Sequence, residues 1–224
     1  MFINEFFDDD YYEECAKEPE FGRIYRTACY YPHENLEFFR SVPTPEEAAI
    51  SQASRFMIRP AGSDRFKHGF PLAVPQLKSN EEFIVVRAKP RPVVLLISQQ
   101  PIADVNKSGF GGKVWRKRCL VGQVFGLQDT ASGKQEFDST TFVDRVKRLE
   151  FPQLMFLPKQ SGLLEVDSVL RLDECQSVFT PHLEHSGFGL KEPIRSLLLS
   201  QLHCLLTGEY SGDFADYREE LLKD

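Results

Sequence analysis

The run Pro92-Val-Val-Leu-Leu-Ile-Ser98 constrains this chain more than any other stretch. Its centre is continuous apolar sequence with β-branched residues and no polar alternation. Such a run reads as a fully buried strand. It is far too short to cross a bilayer, which takes about 20 apolar residues as a helix. A fully buried strand needs a real core around it. The chain has 224 residues, and folding at that length removes roughly 70% of the unfolded surface from water. A core therefore forms without disulfides or metals. Apolar residues at 42% and charged residues at 27% exclude a disordered tail, a collagen-like fibre and a coiled coil. No basic start followed by an apolar run opens the chain, so no secretory signal is expected.

Other segments supply partners for that strand. Gly22 to Tyr31, Arg55 to Arg59, Glu82 to Arg87, Cys119 to Leu127, Phe151 to Pro158 and Leu164 to Val178 read as strands from their β-branched and aromatic content. Thr44-Pro-Glu-Glu47 has a helix start: a capping hydroxyl, Pro at the first position and acids in the first turn. Thr140 to Leu149 carries helical spacing at Phe142, Val146 and Leu149. Leu190, Ile194, Leu197, Leu198, Leu202 and Leu205 lie on one face of a terminal helix that Gly208 closes. Phe214, Tyr217 and Leu221 predict one more amphipathic turn or two. Strands grouped before a terminal helix predict an α+β fold.

Charge is segregated. The net charge is −6. Residues 1–20 hold eight acids against Lys17, and residues 84–120 hold eight bases against Asp104. Phe2 to Tyr12 interleaves aromatics with carboxylates and has no strand or helix period, so residues 1–20 read as an acidic extended arm. The opposed signs predict that this arm docks on the basic segment and occludes it.

The five cysteines (Cys15, Cys29, Cys119, Cys175 and Cys204) are far apart, with no C-x-x-C. Zinc spacing is absent. Free thiols in a reducing, cytoplasmic compartment are expected, each packed as a small apolar residue. Gly109-Phe-Gly-Gly-Lys113 fails as a phosphate loop, because Val114 follows the Lys where Ser or Thr is required. His182 and His185 would share a helix face, but their Pro- and Gly-flanked context argues against a helix and a metal site. His203 is read as a packed or rim residue of the terminal helix. No Gly-x-Ser-x-Gly elbow is present.

Lys89-Pro-Arg-Pro-Val-Val-Leu-Leu-Ile-Ser98 resembles the Arg-Pro-Val-Val-Val-Leu-Ser strand of the PemK/MazF family of toxin endoribonucleases. Gly22-Arg-Ile-Tyr25 resembles that family's opening strand, with Arg in place of Asp. Phe151 to Pro158, Gly162-Leu163 and Asp167 to Asp173 are similar to its "Leu-Pro … Gly-Leu … Ser-Val … Asp" stretch. The resemblance covers residues 84–207, with Gly22 to Tyr31 added. It implies a single domain over 21–224: an SH3-like small β-barrel with a C-terminal amphipathic helix, in which 32–82 is an insertion. It also implies a homodimer, an antitoxin protein as partner, and metal-independent cleavage of single-stranded RNA without a cofactor. In that reaction a ribose 2′-hydroxyl attacks the adjacent phosphate, and an arginine meets the phosphate with fixed charge and two donors. The resemblance assigns this role to Arg91.

The family's hydroxyl at the end of its third strand has no counterpart in Val121 to Leu127; Thr130 and Ser132 are the substitutes further along. Lys113, Trp115, Arg116, Lys117 and Arg118 are the strongest nucleic-acid contacts, with bases stacking on the one Trp. Arg87 and Lys89 would line the same groove. A rival reading keeps the barrel as a catalytically inactive module for protein or DNA. A third makes the chain a structural subunit of a larger assembly.

Overall fold

A computed structural model describes residues 1–30, 37–42, 55–60, 83–86, 88–98, 118–128 and 140–223; of 37–42, 55–60 and 83–85 it describes the backbone. In chain order the strands are β1 (Tyr12–Glu14), β2 (Arg23–Tyr30), β3 (Glu37–Val42), β4 (Arg55–Pro60), β5 (Phe83–Val85), β6 (Ala88–Ser98), β7 (Arg118–Gly126), β8 (Leu154–Leu157), β9 (Ser168–Phe179) and β10 (Glu184–Leu190). The α-helices among the described residues are α1 (Ile3–Phe6), α2 (Thr140–Lys147), α3 (Glu192–Thr207) and α4 (Gly212–Leu221). The fold is α+β. The predicted helix start at Thr44 lies outside the described residues.

The chain forms two compact units, Met1–Cys29 with Pro90–Asp224, and Tyr30–Lys89. The second is an antiparallel sheet of order β4-β3-β5, with Phe39 opposite both Ile58 and Phe83. The first carries a seven-stranded sheet of order β1-β10-β2-β6-β7-β9-β8. Its central strand β6 holds Val93, Val94 and Leu95 at 0% exposure, as a continuous apolar run demands.

Each face of that sheet has its own cover. On one face Val94, Leu96, Val124 and Leu170 pack with Ile194, Leu197 and Leu198 of α3 and Phe214 of α4. On the other, Tyr25, Cys29, Val93, Leu95, Val121 and Val178 form one cluster. Leu127, Leu154, Phe156 and Val169 form a second beside it, under Val146 of α2. Gly22 is required where the chain enters β2. Its φ is +81°, and a Cβ there would lie 2.6 Å from Arg195 Cγ. Its N–H donates to Leu95 O and its carbonyl accepts from Leu190 N, joining β6 to β10.

Two expectations are corrected. Residues 1–20 are not an extended arm. Ile3 and Tyr11 are 1% exposed and Tyr12 is 8% exposed within the main core, and β1 pairs with β10. Tyr11 and Tyr12 are core side chains and Phe7 packs against the same cluster, while Phe6 is exposed. The acids between them face outward, where Asp10 pairs with Lys191 and Glu13 with Arg195. These carboxylates are spent on α3 and its N-cap, and the proposed docking on the basic segment loses its free arm. The second correction concerns closure. Among the described strands, β1 and β8 are edges with no ladder between them, so the sheet is not a closed barrel. A side chain spans the gap: Tyr12 Oη donates to Pro158 O at 2.7 Å. Gln201 of α3 shields the β8 edge, donating to Leu154 O at 3.1 Å.

The strand β10 went unread because Gly187 and Gly189 interrupt its pattern. Its register shifts between His185 and Gly189, and Gly187 has φ +88°, the geometry of a bulge. If the N-terminal residues are core, Ile3→Ala should destabilise the protein by about 2–5 kcal/mol. Chemical denaturation measures this, and a change under about 0.5 kcal/mol would mark the segment as a surface strap.

Candidate functional site

Arg91 enters β6 one residue before the apolar run. Val93 pairs with Gln123, so two residues back Arg91 faces Phe125 across the ladder. Its guanidinium carbon lies 4.1 Å from the centroid of that ring. Arg171 approaches the same ring at 5.7 Å. Arg171 is held by Asp173 and Glu174, each at 2.6 Å. Gln123 is 3% exposed and sits between Val93 and Arg171 in register. The result is a short polar row, Gln123 beside Arg171, on the sheet face that carries Arg91 at 9% exposure, with Thr27 and Gln176 as further buried polar residues.

Of the other expected contacts only Lys89 and Arg118 are among the described residues, and Arg118 lies far from Arg91. Arg118 is exposed at the opposite end of β7, seven residues from Phe125, or about 23 Å along a strand. By strand alternation it also points to the other face. Its guanidinium lies 4.9 Å from the ring of Phe179, which meets His182 edge-on at 5.8 Å. Lys89 is exposed near the start of β6. Thr130, Ser132, Arg87, Lys113, Trp115, Arg116 and Lys117 lie outside the described residues. Arg91 and Arg118 thus differ in sheet face as well as in position along the strands.

Phe125, Arg171 and Gln123 were missed from sequence. For Gln123 and Phe125 a signal was available in the alternation along Val121 to Leu127, but the cross-strand register that joins them to Arg171 of β9 is a tertiary fact.

The histidine pair does not share a helix. His182 ends a 3₁₀ turn and His185 lies in β10. His185 Nδ1 accepts from Gly187 N–H at 3.2 Å, and its Nε2 lies 3.8 Å from Cys15 Sγ. Burial raises the Cys15 thiol above its usual range, with Arg23 and Arg195 opposing and Glu13 and Glu20 adding to the rise. The pair is thus poorly set up as a nucleophile. Among the described residues no group of three or more His, Cys, Asp or Glu side chains could hold a metal. No described helix is long and apolar enough to cross a membrane.

No family model, curated protein or solved structure matches the chain.

Cys29 reports on the apolar ground beside Arg91. Burial pushes its thiol up to about 11 from 9.0, against the pull of the Arg91 guanidinium. Burial likewise pushes the Tyr11 and Tyr12 phenols well above 10.0. All three groups are acids whose neutral form the fold prefers. Their stabilisation is full below the unfolded pKa and is lost as pH rises toward the folded value. The melting temperature should therefore fall as pH is raised from about 9 to 11, and fall less in Cys29→Ala. A flat profile would contradict the burial of these groups.

Proposed function

We propose that this chain is a PemK/MazF-like protein of the cytoplasm that binds single-stranded RNA and cleaves it by attack of the 2′-hydroxyl on the adjacent phosphate. The observation that carries the reading is the placement of Arg91. It is a cation just before the apolar run of the central strand, held against an aromatic face that a second arginine, paired with Asp173, also approaches. A planar guanidinium fixed in this way keeps its fork of donors oriented for a phosphate. On this reading the open, side-chain-bridged sheet is a variant of the SH3-like barrel, Thr130 or Ser132 supplies the hydroxyl donor, and the chain works as a homodimer controlled by an antitoxin.

One observation favours a second reading. Arg91 is 9% exposed and packed on Phe125. A guanidinium so committed serves a binding module without chemistry equally well.

The experiment uses the full chain, a long single-stranded RNA and a chelator. Cleavage that falls by about 10²-fold or more in Arg91→Ala supports the enzyme. Arg91→Lys should also fail while melting like the parent, because it keeps the charge and loses the fork. Binding without cleavage, weakened by both substitutions and steeply by salt, selects the module. RNA binding that ignores both substitutions would overturn the role of Arg91.

A further inference from the structure

We infer that a cleft beside this row binds a guanine base, an inference that rests on the RNA reading only for the source of the base. The cleft has a volume of about 220 Å³ and is lined by Leu127, Gln128, Thr140, Val143, Asp144, Lys147 and Asp167. It lies between α2 and the end of β7. Drug-sized pockets run to roughly 300–1,000 Å³, so this one suits a single planar ring system. It adjoins Arg91 through packing. Phe125, under the guanidinium, belongs to the same hydrophobic cluster as Leu127 and Val143, the apolar walls.

The polar groups have an unusual balance. Thr140, Val143, Asp144 and Lys147 recur at helical spacing, so α2 turns one face into the cleft. Asp144 and Lys147 are three residues apart, and among the described residues the ion pair made by α2 is Arg145 with Glu150 rather than these two. Lys147 is drawn elsewhere, its ammonium 4.4 Å from the Phe156 ring and 5.8 Å from Phe2. One Asp167 oxygen accepts from Lys159 N–H at 2.9 Å. Among the described residues the cleft thus offers, in Asp144, a carboxylate with no side-chain partner and, one turn away, a cation near two aromatic rings.

That combination selects among bases. A carboxylate has only acceptors and an ammonium only donors. Guanine presents two adjacent donors, N1–H and the 2-amino group, beside the acceptor O6. Both oxygens of Asp144 can be satisfied while Lys147 meets O6. Adenine and cytosine offer the carboxylate a single amino group, and uracil a single imino N–H. Unstacked RNA bases are read along this edge. A free guanine nucleotide has the same chemistry.

Calorimetric titration of the full chain with mononucleotides tests the assignment. Guanosine monophosphate should bind about tenfold or more tighter than the adenosine, cytidine and inosine monophosphates, inosine lacking the 2-amino donor. Asp144→Asn replaces one acceptor by a donor, so it should reverse the preference toward xanthosine monophosphate, whose C2 carbonyl accepts. A gain for xanthosine cannot come from misfolding. Equal binding of all bases, no mononucleotide binding, or a preference unmoved by Asp144→Asn would overturn the inference. A second arm compares oligouridine with and without one central guanosine. Tighter binding of the guanosine strand, competed by guanosine monophosphate, assigns the base to RNA; discrimination among mononucleotides alone assigns it to a free nucleotide. Failure of the full parent chain to bind single-stranded RNA, with guanosine selectivity among mononucleotides retained, would remove the RNA reading and keep the cleft.

Discussion

A guanidinium sits almost out of water at the end of the most apolar strand in the protein. Desolvating such an ion costs several kcal/mol, whereas a cation–π contact returns roughly 0.5–2 kcal/mol. The Phe125 ring is therefore one of several supports for Arg91. The sheet face that holds Arg91 also carries Gln123 and Arg171 in a short row, which divides the apolar surface into two clusters instead of one. A sheet selected for stability alone would fill that row with aliphatic side chains. The polar row is the most economical reason to look for an anionic ligand here.

The opposite face explains why the sheet can carry such a row. Helices α3 and α4 and the first twelve residues bury one large cluster there. The two sheet edges, although unladdered, are bridged by Tyr12 and shielded by Gln201. Stability concentrated on one face leaves the other free to hold charged and polar groups. The acids of the N-terminal segment belong to this division of labour, because they neutralise Lys191 and Arg195 at the start of α3.

Much of this architecture is readable in the chain. Continuous apolar or alternating runs located β2, β6, β7, β8 and β9, and the i, i+4, i+7 spacing located α3 with its closing glycine at φ +77°. Pattern failed where packing overrode local signals. Tyr11 and Tyr12 follow three aspartates and look solvated, yet they are core because β10 offers them an edge. β10 itself is broken by glycines that serve a bulge. At the site, Arg91 was legible because proline and the apolar run mark its place. Phe125 and Arg171 were not, since register joins them. Asp144 and Lys147 drew no reading from the sequence; the position of α2 beside the end of β7 is what brings them to the cleft.

The most direct test of the claim that Arg91 meets a phosphate is spectroscopic. In the full chain, the side-chain Nε–H resonance of Arg91 and the ring resonances of Phe125 are followed while a short single-stranded RNA is titrated. The account predicts that both shift together and saturate at one stoichiometric equivalent per site. Shifts confined to Arg118 and Phe179, with Arg91 and Phe125 unmoved at saturation, would contradict it.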